Sequence, residues 1–395
     1  MGKLINDKSI FYSGLCYFLI MVCFICVRII FGAGLLGDVT KNSTDYLFTF
    51  VVQIVILIGL PLLIMRFCAK QPIKTIFNKH SFRPINTKMA LWSILLGVCT
   101  YILIMYISSF WSGLLSVFGY SSGSSVPSTS ATGSPILDLL LGFLFVGILP
   151  GICEEFSHRG MVLGNIKRDG AVRAILFSAL LFGLMHLNIV QVGYAFVVGL
   201  ILGTITLLTK SIFPAMIVHG VSNSINTYLD YASANDWLGG DFYNSINVFL
   251  TSNNYMFTFL IGFLVLTMLI MFVGYIMLAL FRQSKANEFF VFKKNLKKRL
   301  KDEDLSGQID LNDNKQVFLL YQETQLNNIQ NKLANTNLSL QQLEKNIDKA
   351  TILSIMFDED VTKKQKPKYL DYIFYYCSMF LGTVVTIMTF IWGII

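Results

Sequence analysis

The sequence predicts an all-α fold, a polytopic transmembrane helical bundle of about eight core spans. A cytoplasmic helical or coiled-coil segment and one extra C-terminal span are expected to follow. The 395-residue chain is 54% hydrophobic and only 14% charged, whereas soluble domains carry about 25% charged residues. Apolar stretches of about 20 residues, enough to cross ~30 Å of hydrocarbon, recur along the chain. Basic and non-basic loops alternate between them.

Nine apolar stretches are candidate spans. They lie at residues 10–36, 46–67, 89–119, 136–164, 171–190, 191–209, 212–231, 255–281 and 370–393. The first is not expected to be a signal peptide, because its apolar core, Phe11–Phe31, is too long and no small-residue cleavage site follows. The boundary between the fifth and sixth spans is expected at Asn188–Gln191. The chain therefore divides into a transmembrane core at 1–281, a polar segment at 282–368 and a last span within 369–395.

Loops after even-numbered spans are basic, and loops after odd-numbered spans are not. The loop after the second span carries the cations Arg66, Lys70, Lys74, Lys79, Arg83 and Lys88. The loop at 120–135 is rich in Ser and Gly and uncharged, and the loop at 232–253 has no Lys or Arg. By the positive-inside rule, we expect a multi-pass protein of the cell membrane with its N-terminus in the cytoplasm and its C-terminus outside.

The net charge of +8 predicts no nucleic-acid partner, because cytoplasmic loops account for the excess of Lys and Arg. The basic run at 293–301 is expected to meet anionic lipid at the bilayer surface. The seven cysteines mostly fall inside spans. Packing as small apolar side chains is therefore a better interpretation than a zinc or redox role, even for Cys23 and Cys26.

Residues 282–368 differ in composition and are expected to form a cytoplasmic segment. Within it, apolar residues follow alternating three- and four-residue steps: Leu319, Leu326, Ile329, Leu333, Leu340, Leu343 and Ile347. This heptad pattern predicts a coiled coil or a helical hairpin. An amphipathic helix resting on the rest of the protein is the alternative. If the coil forms, residues 311–350 are expected to bind another copy or a coiled-coil partner.

Charged side chains at bilayer depth are costly and mark functional sites by default. Glu154 and Glu155 lie in the apolar run 136–164, five and four residues before Arg159. Glu155 and Arg159 have the four-residue spacing of a helical ion pair. Glu154 has no such partner, and an unpaired carboxylate at this depth suits a general base. A buried salt-bridge cluster is the structural alternative for both glutamates.

Two further polar groups lie within predicted spans. Phe182 and His186 are four residues apart, and so are His219 and Asn223. Taken separately, His186 is better explained as a satisfied core or interface residue than as a catalyst. The His219 and Asn223 pair could hold helices together by hydrogen bonds.

Together the three groups resemble the CPBP family of intramembrane proteases, which includes CAAX prenyl endopeptidases and bacterial Abi-type bacteriocin-processing proteins. The family pattern is Glu-Glu-x-x-x-Arg, then Phe-x-x-x-His, then His-x-x-x-Asn or Asp, each on a separate transmembrane helix. This chain has Glu154-Glu155…Arg159, Phe182…His186 and His219…Asn223 in the same order. The resemblance covers about residues 90–231 and does not include the coiled-coil segment or the last span.

The resemblance implies hydrolysis of a peptide bond by an activated water molecule. Glu154 would deprotonate the water, and His186 would help to orient it. His219 and Asn223 would donate hydrogen bonds to the tetrahedral oxyanion. In the expected topology, however, Glu154 and His219 lie toward the cytoplasmic side, whereas His186 falls late in an outward-going span.

The resemblance also implies supporting residues. Glu155 and Arg159 would hold the helix geometry, or Arg159 could meet a substrate carboxylate. No cofactor is expected. The alternative is Zn²⁺ bound by Glu154, His186 and His219, with one position left for water.

The expected substrate is a peptide or membrane protein, with peptide processing or peptide immunity favoured and prenylation left open. Two other functions are considered. A catalytically silent scaffold would recruit partners through the cytoplasmic coil. A transporter would use Glu154 and the histidines as a proton relay, but it is expected to show inverted repeats, and the sequence has none.

Overall fold

A computed structural model describes residues 9–32, 41–70, 72, 81–120, 132–167, 170–251, 255–302, 310–311, 313, 315–324 and 369–394. These described residues form helices and loops, with no strand among them. Seven of their helices are long and apolar enough to cross a membrane. The predicted all-α transmembrane bundle is confirmed.

The helices are numbered here in chain order. The first four are α1 (Ser9–Gly32), α2 (Lys41–Phe50 continued by Val51–Gly59 and Leu60–Phe67), α3 (Thr87–Val117) and α4 (Pro135–Ile166). The next four are α5 (Ala171–Met185), α6 (Ile189–Thr209), α7 (Phe213–Ala234) and α8 (Gly240–Thr251). They are followed by α9 (Tyr255–Asp302), α10 (residues 315–324) and α11 (Tyr369–Trp392).

Helix α5 is shorter than the predicted fifth span. Its 15 residues extend about 22 Å at 1.5 Å per residue, less than the ~30 Å of hydrocarbon. The break before α6 lies at residues 186–188, slightly before the predicted position. The Asn188 side chain caps α6 by accepting a hydrogen bond from the Val190 N–H at 2.9 Å. Helix α5 therefore ends early, which lets His186 at its end face the same cavity as Glu154.

Helix α7 packs against α3, α4 and α6. Its crossing with α4 is close because glycine faces glycine: a Cβ on Gly151 would lie 2.9 Å from the Cα of Gly220. Small residues at such crossings let helix backbones approach each other in membranes. The crossing brings the glutamates of α4 beside His219 on α7.

Helix α4 is irregular around Pro150. Proline has no N–H to donate to the carbonyl four residues earlier, which here belongs to Val146. Asn223 on α7 donates to this carbonyl from Nδ2 at 3.2 Å. π-helical turns at Phe143–Ile148 and Phe156–Leu163 lie on either side of the proline. Asn223 of α7 thus donates to a carbonyl that the proline leaves without its usual donor four residues later.

Helix α2 repeats this arrangement. Pro61 cannot donate to the carbonyl of Leu57, and a π-helical turn, Val51–Gly59, precedes the proline. The Ser157 hydroxyl of α4 donates to the Leu57 carbonyl at 2.6 Å. The contact ties α2 to α4 close to the glutamates.

Helix α9 continues past residue 281, the end of the predicted span. Helix α10 packs back on this extension through Tyr321, whose ring centroid lies 5.6 Å from that of Phe289. Its hydroxyl donates to Glu288 Oε2 at 3.5 Å. Leu319, the first residue of the predicted heptad seam, is 56% exposed. The other seam positions lie outside the described residues, so the coiled coil stays a prediction.

Candidate active site

Glu154 and Glu155 are adjacent in the middle of α4. They end a short α-helical stretch, Leu149–Glu155, that is flanked by two π-helical turns. Such turns occur frequently at functional sites. Glu154 is 8% exposed and Glu155 is fully buried. Buried carboxylates at this depth require partners from the protein itself.

Glu155 belongs to a buried ion-paired group. Its Oε1 accepts hydrogen bonds from Arg159 Nη1 and His219 Nδ1, both at 2.9 Å. Arg159 also donates from Nη2 to the Gly199 carbonyl at 3.2 Å, and its Cζ lies 4.5 Å from the Phe182 ring centroid. Because Arg159 is fully buried, these contacts favour a structural role over contact with a substrate carboxylate.

Glu154 has one oriented carboxylate oxygen and one free one. Gln53 Nε2 donates to Glu154 Oε1 at 2.8 Å. Glu154 Oε2 is buried without a hydrogen-bond partner among the described residues and lies 4.0 Å from His219 Nε2. Glu154 therefore has a neutral hydrogen-bond donor at one oxygen, whereas Arg159 is paired with Glu155. Gln53 was not predicted as a site residue. The signal that could have identified it is that Gln53 is the single amide side chain in the apolar run 51–60.

The two histidines have the same hydrogen-bonding pattern. His186 Nδ1 lies 2.9 Å from the Phe182 carbonyl, and a carbonyl only accepts, so Nδ1 carries a hydrogen. His219 Nδ1 faces the Glu155 carboxylate and likewise donates. In both rings Nε2 remains for a ligand. The Phe182 ring lies edge-on between them, with its centroid 5.2 Å from that of His186 and 5.6 Å from that of His219.

His158, a variable position of the Glu-Glu-x-x-x-Arg pattern, helps to hold the site together. Its Nδ1 lies 2.8 Å from the Glu154 carbonyl, and its Nε2 lies 2.8 Å from the Tyr17 hydroxyl. Tyr17 in turn donates to the Leu181 carbonyl at 2.8 Å. The fully buried imidazole thereby connects α1, α4 and α5 behind the glutamates.

The site opens into one cavity of about 930 Å³. Four of the six predicted site residues line it: Glu154, His186, His219 and Asn223. The other two, Glu155 and Arg159, lie behind its wall. The Asn223 amide has one N–H directed to Val146, which leaves its second N–H for a ligand. The arrangement offers a carboxylate oxygen and several hydrogen-bonding groups to a molecule in the cavity.

Glu154, His186 and His219 are the candidate ligands for a metal ion. In the part of the chain that the structure describes, no three His, Cys, Asp or Glu side chains form a group that could hold a metal ion. Both histidines nevertheless donate from Nδ1 to an oxygen, as zinc ligands commonly do. The chemistry of the donors therefore suits Zn²⁺, although their spacing in this structure does not form a site.

Residues 136–225 match a protein-family model described as Type II CAAX prenyl endopeptidase Rce1-like. The predicted resemblance is confirmed. This Rce1-like segment, residues 136–225, contains all six predicted site residues. Comparison with curated proteins and with solved structures finds no match. The match supports, in general terms, a multi-pass intramembrane endopeptidase of the CAAX type.

Proposed function

We propose that the protein is an intramembrane endopeptidase that hydrolyses a peptide bond in a membrane-associated peptide or membrane protein. The observation that carries the proposal is the convergence of Glu154, His186, His219 and Asn223 on one cavity inside the Rce1-like segment. A role in maturation of, or immunity to, a bacteriocin-type peptide fits such an enzyme.

In the first step, a water molecule occupies the space next to Glu154 Oε2, the carboxylate oxygen that has no partner. Glu154 takes one proton from the water while the water oxygen bonds to the substrate carbonyl carbon. His186 Nε2 accepts a hydrogen bond from the other proton and fixes the direction of attack. The carbonyl electron pair moves to its oxygen and forms the tetrahedral oxyanion.

His219 Nε2 and the second N–H of Asn223 would stabilise this oxyanion. Because His219 Nδ1 already donates to Glu155, donation from Nε2 to the oxyanion requires the imidazolium form of this ring.

In the second step, the tetrahedral intermediate collapses. The oxyanion restores the carbonyl as the C–N bond breaks, and the departing nitrogen takes the proton held by Glu154. The products are a new carboxyl group and a new amine, and Glu154 is again a carboxylate.

Replacement of Glu154 by Gln tests the proposal. We expect Glu154→Gln to lose at least about 100-fold in cleavage rate, as loss of a general base does, while the folded protein stays abundant in the membrane. The measurement is comparative proteomics of small membrane-associated peptides in cells carrying each form. The control is Glu323→Gln, which changes an exposed glutamate on α10. Cleavage at the wild-type rate by Glu154→Gln would refute the assignment.

A catalytically silent scaffold is the alternative function, because the coil outside the Rce1-like segment is suited to recruiting partners. It predicts that Glu154→Gln cells behave like wild type and that changes in the coil alter the cell. For either function we propose a cytoplasmic N-terminus and an external C-terminus, based on the basic loops. Reporter fusions at the two ends would contradict this topology if both reported the same compartment.

We propose that the reaction needs no metal, because Glu154 and the donors next to it provide both a base and an oxyanion site. The purified protein is then expected to contain less than one zinc per chain, and chelators should leave cleavage intact. About one zinc per chain, lost in a His186→Ala, His219→Ala variant, would instead establish a site formed by Glu154, His186 and His219.

A further inference from the structure

The cavity extends beyond the catalytic residues, between α3, α6, α7 and α8. The lining residues of helices α3 to α8 fall within residues 101–116, 145–154, 182–198 and 219–250, and these stretches contain no Lys or Arg. The remaining lining residues, Thr49 and Gln53 of α2, are uncharged. The described wall of the cavity therefore presents no lysine or arginine to a bound molecule.

Tyr101 of α3 is an unused polar group in this wall. The residue is 5% exposed, lines the cavity, and its hydroxyl has no hydrogen-bond partner among the described residues. A buried hydroxyl without a partner costs free energy unless a ligand supplies one. Its O–H is therefore a donor available to a molecule in the cavity.

A second group in the wall is held in place by Asp230 of α7. Asp230 accepts hydrogen bonds from Asn226 Nδ2 at 2.8 Å and from the Tyr243 hydroxyl at 3.0 Å. Asn226 and Tyr243 both line the cavity. Fixing Nδ2 on Asp230 sets the direction of the Asn226 amide oxygen, which can accept a hydrogen bond. Tyr101 and Asn226 together offer one donor and one acceptor, as the C=O and N–H of a peptide backbone require.

The absence of lysine and arginine from the described wall restricts the class of substrate. A free C-terminal carboxylate bound here would have neither of these side chains to pair with, and burying an unpaired charge is strongly unfavourable. Resting on the proposed function, we propose that Tyr101 and Asn226 form a subsite for the backbone of an uncharged internal peptide segment. The bond that is cleaved then lies within the chain of the substrate, away from a free carboxyl end.

The subsite is tested by binding, which does not require turnover. The probe is a proteome-derived library of N-acetylated peptides, prepared once with amidated and once with free carboxyl ends. Full-length Glu154→Gln protein in detergent is incubated with both, and the retained peptides are quantified by mass spectrometry. We expect amidated peptides to be retained about tenfold over their free acids, because loss of the terminal charge removes its desolvation cost.

Tyr101→Phe, made in the same background, removes only the donor. We expect about fivefold lower retention of amidated peptides, the size of one neutral hydrogen bond. Tyr106→Phe is the matched control: Tyr106 lies on the same helix, packs toward Gly262 of α9 and does not line the cavity. Equal melting temperatures of the two variants exclude a folding defect.

Equal retention of amides and acids, or preference for acids, would overturn the proposed substrate class. Retention unchanged by Tyr101→Phe would overturn the subsite. Neither result depends on whether Glu154 is the base, because cleavage by wild-type protein and by Glu154→Gln is compared separately. Failure of the subsite and failure of the proposed function are therefore distinguishable.

Discussion

Glu154, His186 and His219 share one feature at their end of the cavity. In each side chain one polar atom is held by a hydrogen bond within the protein, and another polar atom remains available to a ligand. Gln53 fixes one oxygen of Glu154, and Glu155 fixes one nitrogen of His219. A backbone carbonyl fixes one nitrogen of His186. Catalytic groups held in this way lose less entropy when a substrate binds, and they approach it from defined directions.

Gln53 is therefore expected to be a positioning residue. Gln53→Leu removes the hydrogen bond to a charged carboxylate, a contact of about 1.5–3 kcal/mol, which corresponds to a fall of about 10- to 100-fold in kcat. Gln322→Leu, an exposed change on α10, should have no effect. Steady-state cleavage of any identified substrate measures both. Wild-type kcat in Gln53→Leu would show that Glu154 is oriented without the amide.

The six candidate site residues could be singled out because charged and imidazole groups stand out in apolar runs and occur in the order of a known pattern. Their partners could not. Gln53 is 101 residues from Glu154, and Tyr17 is 141 residues from His158. No local sequence pattern indicates such a contact. For this reason the sequence does not show that the His158 ring contacts Tyr17 of α1.

Among the helices, the crossing of α4 and α7 determines whether the site forms. From sequence alone, Pro150 and Gly151 would be expected only to loosen α4 and admit water. In the structure, Gly151 allows the backbone of α7 to approach α4 at Gly220. The glutamates and His219 meet because of this contact.

Gly151→Ala is expected to destabilise the protein and lower activity. A Cβ at this position would lie 2.9 Å from the Gly220 Cα, so the helices must separate, at a cost of about 1–3 kcal/mol for an overpacked site. Gly274→Ala on α9 is the control, because a Cβ there meets nothing within 4 Å. Melting temperature in detergent and cleavage rate are the measurements. Equal melting temperatures would show that the crossing accepts a methyl group.

Helix positions followed well from apolar length, because a span must be near 20 residues. Helix ends followed less well. The short α5 could not be foreseen, since the cap on α6 and the backbone break before it depend on the conformation of residues 186–188. The early end of α5 allows His186 to reach the cavity. Because the predicted fifth span continued to residue 190, the sequence did not reveal this position of His186.

For the molecule as a whole, the predicted coil at residues 311–350 lies outside the Rce1-like segment. We predict that residues 311–350 mediate self-association or binding to another coiled coil and are dispensable for cleavage. An exposed seam of Leu and Ile in water forgoes about 1.5–3 kcal/mol per side chain. The exposure of Leu319, at 56%, agrees with an unpartnered start of this seam.

Chemical cross-linking of wild type and of a Leu333→Asp, Leu340→Asp variant tests the coil. Oligomers or co-purifying proteins should disappear in the variant, while cleavage continues at the wild-type rate. The same monomeric pattern in both forms would mean that the seam packs on its own chain. The membrane class and helical fold could be predicted from composition alone, but the return of α10 onto α9 depends on aromatic contacts that no periodicity indicates.

The proline-released carbonyls have a consequence for biogenesis. Asn223, the donor to the Val146 carbonyl, is synthesised 77 residues after it. Ser157, the donor to the Leu57 carbonyl, is synthesised 100 residues after it. In lipid, a carbonyl without a donor costs several kcal/mol. A nascent chain released helix by helix would carry this penalty at one carbonyl or the other until Asn223 has been made. We therefore expect α2 and α4 to stay beside the insertion machinery, in contact with water or protein, until α7 has been made.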